Sequence, residues 1–161
     1  MNAKNSHCSY CGAAFPDGQP WPRTCANCGQ TTWLNPLPVA VVLLPVGKGL
    51  LAVRRAIPPK KGELALPGGF INLGESWQAA GAREVFEETG ITIDPSTIRD
   101  FRVLSAPDGT VLIFGLAPPL AGPLPALAAN EEVSEIVVLD EPKPLAFSLH
   151  TQAVDEYFDK R

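Results

Sequence analysis

From Pro38 to Leu44 the chain reads PVAVVLL, an unbroken apolar and β-branched run of the kind shown by strands covered on both faces. Gly47, Lys48 and Gly49 mark a turn and Leu50 to Arg55 (LLAVRR) returns, so the two runs are predicted as a β-hairpin. A polar, Pro-rich connection leads to Leu64–Leu66 and a Pro67-Gly68-Gly69 bend. The period then changes from two to nearly four, predicting a helix from Ser76 to Thr89 that Gly90 stops. Phe101–Ser105 and Thr110–Ala117 flank Pro107-Asp108-Gly109 as a second hairpin, and Ile136–Leu139 reads as a short buried strand. Residues 148–160 carry a last amphipathic helix with Leu149, Ala153, Val154, Tyr157 and Phe158 as its apolar stripe. The expected fold class is α/β, a mixed sheet with helices packed against it.

Before Asn35-Pro36 the pattern is different. Residues 1–34 are rich in Pro and Gly and hold all four cysteines, as Cys8-x2-Cys11 and Cys25-x2-Cys28. Two such knuckles can place four thiolates round a tetrahedral Zn²⁺, with Gly12 and Gly29 relaxing the adjoining backbone, so this segment is predicted as a zinc ribbon. Two disulfides, a redox CxxC or four unconnected thiols are the alternatives; the first needs an oxidising compartment and the second a βαβ setting that this segment lacks. His7 is read as a bystander. A segment this short buries too little apolar surface to fold alone, which gives the ion a structural role.

Composition narrows the function. The 161-residue chain has 13 Lys+Arg against 17 Asp+Glu, so no global positive field serves a polyanion, and phosphate chemistry would need positive charge supplied locally. Within residues 1–34 only Lys4 and Arg23 are cationic, which argues against nucleic acid as a partner of the ribbon. The polar start MNAKNSHCSY has no signal-peptide core, and the longest apolar stretch, Leu37–Val46, is too short for a membrane helix. A cytoplasmic location without membrane contact is expected.

On the predicted helix Glu84, Glu87 and Glu88 stand at i, i+3 and i+4 and share one edge, while Ala79, Ala82, Val85 and Phe86 are expected on the opposite, buried arc. Like charges at that spacing repel, so the cluster costs stability unless a cation occupies it; a solvated acidic face is the alternative. Oxygen-only ligands select a hard ion, Mg²⁺ or Mn²⁺.

The surroundings of that cluster carry a resemblance. From Gly69 there are five residues to Glu75, seven more to Arg83, then Glu84, Val85, Phe86, Glu87, Glu88, Thr89, Gly90 and Ile91. This order resembles the complete signature of the Nudix hydrolase family, and residues 36–161 resemble its α/β/α sandwich. The resemblance implies metal-dependent hydrolysis of a nucleoside diphosphate linked to another group. It also implies Glu84, Glu87 and Glu88 as metal ligands, Glu75 as a supporting carboxylate, and Arg83 as the residue that fixes their rotamers. Gly68 and Gly69 would let the backbone pass close to ions and phosphates. The family's general base varies between members, and Glu131 or Glu132 is a candidate for it, with a solvated loop pair as the alternative. Arg54 or Arg55, or Lys60 and Lys61, are candidates for phosphate contact; strand alternation allows at most one of the two arginines to face the site.

A cysteine-rich ribbon before such a domain resembles two subgroups, NADH pyrophosphatases and a group acting on ADP-ribose or FAD. Asn35-Pro36 and Leu145-Ala146-Phe147-Ser148 resemble the second more. The substrate expected is therefore a small nucleotide of the ADP-ribose, FAD or NADH class, gripped by loops such as residues 117–130 and split to AMP and a phosphorylated remainder. Homodimers are frequent among relatives. The rival readings are a nucleic-acid-binding ribbon module and a domain kept for ligand sensing.

Overall fold

The computed structural model describes residues 4–124, 126 and 131–160. They form two compact units, Met1–Pro36 and Leu37–Arg161.

In the first unit β1 (Arg23–Thr24) pairs antiparallel with β2 (Thr31–Thr32), and an isolated bridge joins His7 to Ala14. Its interior is minute: Cys8, Phe15 and Cys25 are buried, with Ala13 and Trp21 packed against them. The Arg23 guanidinium lies 4.4 Å from the centroid of Trp21, and its Nε donates to the Gln19 carbonyl at 2.7 Å.

The second unit is built on strands buried from both sides. β3 (Leu37–Leu43), β4 (Pro45–Val46), β5 (Gly49–Arg55), β6 (Leu64–Ala65) and β7 (Gly68–Phe70) precede α1 (Trp77–Thr89). A single 3-10 turn at Pro95–Thr97 leads to β8 (Arg99–Ser105), β9 (Thr110–Leu116), β10 (Val133–Leu139) and α2 (Ser148–Asp159). One sheet has the order β7-β3-β9-β8, with β3 parallel to β9 and the other pairs antiparallel. The other pairs β5 with β10 on one side and with β4 and β6 on the other.

Alternation along β3 and β5 assigns the two faces. Val41, Leu43, Leu50 and Ala52 join Leu112, Phe114, Leu139 and the α2 residues Ala153, Val154 and Tyr157. Val42, Leu44, Leu51 and Val53 join Ala82 and Val85 of α1, with Ile91 and Ile98. The result is the predicted mixed α/β sandwich. α2 rests on one apolar layer and α1 on the other.

Three details of the sequence reading change. The hairpin expected between Pro38–Leu44 and Leu50–Arg55 does not form, because β3 and β5 lie in different sheets. Only Pro45 and Val46 pair back, to Leu50 and Gly49. Pro45 has no N–H with which to extend the β3 ladder, and both runs are apolar on both sides, so each finds its own sheet. On α1, Phe86 is 55% exposed rather than buried, while Glu88 is only 7% exposed. A Cβ on Gly81 would touch the Val42 side chain, so the helix meets β3 on its Gly81 side. That leaves Phe86, about 140° round the helix from Gly81, outside the contact and turns Glu88 inward.

The ends of α1 are as predicted. The Ser76 hydroxyl accepts from the Ala79 N–H at 3.1 Å, and Gly90 closes the helix at φ 75°, its N–H donating to the Phe86 carbonyl. β10 begins at Val133, ahead of the expected Ile136, and a bulge separates Val133 from Glu135. Of the loop expected to grip the substrate, residues 125 and 127–130 lie outside the described residues.

Candidate functional site

Arg83 organises the outer part of the acidic edge. Its Nε donates to Glu75 Oε1 at 2.9 Å and its Nη2 to Glu75 Oε2 at 3.1 Å, a two-pronged grip. Nη1 donates to Glu84 at 2.6 Å and to Glu87 at 3.0 Å, and Nη2 also reaches the Phe70 carbonyl at 3.0 Å. Glu75 itself accepts from the Asn72 N–H at 3.1 Å. The Arg83 hydrogen bonds, then the Asn72 N–H, hold the Glu75 carboxyl below its ordinary pKa, and the Glu75 contact raises Arg83 further above its already high value. Loop and helix are thereby tied through a single guanidinium.

The inner part carries the opposite stress. Burial, reinforced by the charge of Glu84 beside it, pushes the Glu88 carboxyl up to about 8; its opposing influences are the Gly68 N–H, at 3.3 Å, and the more distant charge of Arg55. Burial also raises Glu84, against the pull of Arg83. A Cβ on Gly69 would land on the Glu84 carboxylate, and one on Gly68 would meet the Ala40 carbonyl. Gly69 thus lets the β7 backbone close over the Glu84 carboxylate, while Gly68 lets β7 pack against β3. Two largely buried acids with too little positive charge between them fit a hard divalent cation, whose binding would relieve both shifts. Glu87, with its side chain 54% exposed and drawn to Arg83, lies at the margin of this pair.

The other predicted residues separate. Arg54 and Arg55 leave β5 on opposite faces. Arg54 is taken up by Glu135 at 2.6 Å and by the Gly62 carbonyl at 3.0 Å. Arg55 donates from Nε to the Pro59 carbonyl at 2.8 Å and lies 5.2 Å from the centroid of the Phe147 ring. Its charge reaches Glu88. Lys60 pairs with Glu63 at 3.3 Å, and Lys61 is exposed. Glu131 and Glu132 are both exposed at the entry to β10, and the charge of Glu132 is felt at Glu84 and Glu88.

Next to Arg55 and Phe70 opens a largely apolar cleft of about 570 Å³, which Phe147 and His150 of the α2 entry also line. Sequence reasoning noticed Phe147 only as part of a family-like string and missed His150. The signal for His150 was present: it stands inside the apolar stripe of α2, and a titratable group there must be either partnered or useful.

In the first unit the four cysteine Sγ atoms all lie within 4.8 Å of one another, the one cluster of three or more such ligands that closes in this way among the described residues. Cys8–Cys28 and Cys11–Cys25 are each 3.7 Å apart. Four sulfurs ~2.3 Å from a shared tetrahedral ion stand ~3.8 Å from one another, whereas a disulfide needs ~2.05 Å. Each knuckle closes alike, Gly12 N–H on the Cys8 carbonyl and Gly29 N–H on the Cys25 carbonyl. The N–H groups of Cys11 and Tyr10 lower the Cys8 thiol to about 6. Although the Gln30 N–H favours the Cys28 thiolate, burial and the three neighbouring sulfurs push that thiol up to about 12. Four thiolates need a cation, and the geometry fits zinc. His7 stays outside the cluster, hydrogen-bonded to Ser6.

A family profile described as NUDIX domain matches residues 34–157. The chain belongs to the NUDIX family. Among curated NUDIX relatives it is 32% identical over 87 residues to a protein named NAD-capped RNA hydrolase NudC from Edwardsiella ictaluri, covering 53% of this chain and 34% of that one. The chain thus spans about a third of the length of the curated relatives it matches. A NUDIX hydrolase structure from Nitrosomonas europaea superposes with TM-score 0.78 at 26% identity, over 97% of this chain and 92% of that one. A bifunctional NMN adenylyltransferase/ADP ribose pyrophosphatase from Francisella tularensis, in complex with AMP and a manganese ion, matches with TM-score 0.55 at 28% identity, over 64% of this chain and 33% of that one.

Proposed function

We propose that the protein hydrolyses the pyrophosphate bond of a nucleoside diphosphate linked to another group, of the ADP-ribose, FAD or NADH class, giving AMP and a phosphorylated product. The observation that carries this reading is the buried Glu88 carboxylate set against Glu84, with the Gly68 N–H as its close donor. Such a pair is stable as two anions only beside a cation. Glu84 and Glu88, with Glu87 at the margin, would hold Mg²⁺ or Mn²⁺. Bound there, the ion supplies charge neutralisation at the pyrophosphate oxygens and a more acidic coordinated water.

The chain's own groups do the rest. Arg83 fixes the rotamers of Glu75, Glu84 and Glu87, so the acids are positioned before substrate arrives. Gly69 admits the loop to the Glu84 carboxylate, and Gly68 lets β7 pack against β3. Arg55, rather than Arg54, is the phosphate contact, because Arg54 is neutralised by Glu135. Glu132 is favoured over Glu131 as the external base, since its charge is felt at Glu84 and Glu88. Four-thiolate zinc in the ribbon is structural, and reduced thiols accord with a cytoplasmic setting. Arg23, one of two cations in residues 1–34, is stacked on Trp21, which leaves the ribbon a poor grip on nucleic acid.

The test is incubation with Mg²⁺ and, separately, ADP-ribose, FAD, NADH and an NAD-capped RNA, with products separated by chromatography. AMP from at least one of ADP-ribose, FAD and NADH is expected. Cleavage of the capped RNA alone would replace the substrate class, and no cleavage of any would remove the hydrolase reading.

A further inference from the structure

The cleft beside Arg55 has a polar group that the hydrolytic chemistry leaves unused. His150 is 6% exposed, yet its ring lines the cleft together with Phe70 and Phe147. Among the described residues the imidazole itself has one hydrogen bond, at Nδ1, which accepts from the Leu66 N–H at 3.2 Å. Nδ1 is thereby the acceptor nitrogen, which leaves the hydrogen on Nε2. The ring is further fixed by edge contact with Phe114, centroids 5.7 Å apart, and by Phe147 at 5.2 Å. The other ionisable groups at the cleft are accounted for. Asp108 accepts from Thr110 N–H at 3.0 Å and from Thr110 Oγ1 at 2.7 Å, and Arg55 stacks on Phe147. Arg55 also disfavours a second positive charge on His150, and burial does so more strongly.

We infer that His150 is a specificity-determining residue of this cleft: a fixed, neutral Nε2–H donor that reads a ring-nitrogen acceptor on the substrate's nucleobase, held against Phe147. Three observations favour that occupant. The walls Val39, Phe70, Leu112, Phe147 and Leu149 suit a flat uncharged ring. The volume of about 570 Å³ exceeds what one base fills, leaving room for its ribose. The cleft also borders the acidic edge at Phe70, which lines it and lends its carbonyl to Arg83, and the charge of the lining Arg55 reaches Glu88. A base seated on Phe147 therefore directs its phosphates toward Arg55 and the carboxylates. A donor-only group in an apolar wall favours a base that presents an acceptor there, because a base presenting N–H would leave two donors facing. This inference rests on the hydrolase reading for the identity of the occupant but not for its detection.

The experiment uses adenosine and AMP as probes of the zinc-loaded protein without added Mg²⁺, read by nitrogen-15 NMR of labelled histidine. Before ligand, His150 is expected to show an unprotonated Nδ1 and a protonated Nε2. On titration the Nε2 resonance should shift while Nδ1 holds its position. Among 1-deaza-, 3-deaza- and 7-deazaadenosine, one analogue should bind about tenfold more weakly than adenosine, and His150→Phe should lose that same factor and no longer distinguish that analogue. His150→Gln, which retains an N–H donor, should recover part of the affinity. In turnover, His150→Phe should raise KM about tenfold with kcat nearly unchanged. Adenosine binding that leaves Nε2 unmoved, or deaza analogues that all bind alike, would overturn the assignment. Failure of any nucleoside to bind a protein that still hydrolyses ADP-ribose would also overturn it, while sparing the hydrolase reading. Binding with the Nε2 shift but without hydrolysis would do the reverse.

Discussion

Glu88 is unfavourable to the fold where it is buried, and in the proposed reading it is a ligand of the site. Its burial beside Glu84 favours the protonated acid, so Glu88→Gln removes little from the metal-free protein. The expected outcome is an unfolding temperature equal to or above that of the parent without metal, together with a loss of turnover of several orders of magnitude; thermal melts and AMP release check the two halves. Glu87→Gln should likewise keep the fold while lowering turnover. His150 supplies a pH signature of the opposite kind. Burial, then the charge of Arg55, lowers its folded-state pKa from 6.5 to about 4. Below pH 6.5 the unfolded chain takes up a proton that the folded one refuses, so this contribution to stability is intact above 6.5 and is lost progressively as pH falls to 4. The full loss is on the order of 3 kcal/mol. Urea unfolding at pH 7 and pH 5 should show the decline in the parent and a smaller one in His150→Phe.

At the scale of elements, the sequence announced α1 almost completely, because its boundary signals are local. Ser76 and Gly90 act on their own backbone neighbourhood, and the acidic spacing follows from helix geometry alone. The failed hairpin and the misplaced Phe86 have the opposite cause. Both depend on which surface a doubly apolar run or a helix face meets, and that is decided by β9, β10 and the Gly81–Val42 contact, distant in sequence. The same reasoning explains why Arg83 was legible as a clamp but its grip on the Phe70 carbonyl was not, since a backbone acceptor leaves no mark in the residue type. Two glycines separate function from folding. Gly69→Ala drives a methyl into the Glu84 carboxylate and should abolish turnover in a protein that still folds. Gly90→Ala meets no atom within 4 Å but must adopt φ 75°, and should cost about 1 kcal/mol of stability with the site chemistry retained. Paired activity and denaturation curves distinguish the two.

For the whole molecule, the division at Pro36 predicts two unfolding events with different triggers. Among its described residues the first unit buries only Cys8, Phe15 and Cys25, so its order depends on whatever ion the sulfurs hold. A strong zinc chelator, or Cys25→Ser, should release about one equivalent of zinc per chain and collapse NMR signals from residues 4–34, while signals from α1 and α2 persist. Signals of the ribbon that survive metal removal would show that it folds without an ion. Side-chain alternation from Val41 to Leu44 has a further, evolutionary consequence. Deleting a single codon there would exchange the partners of two helices at once, a fault no nearby substitution can repair. In a deletion scan of the gene, that stretch should be among the least forgiving.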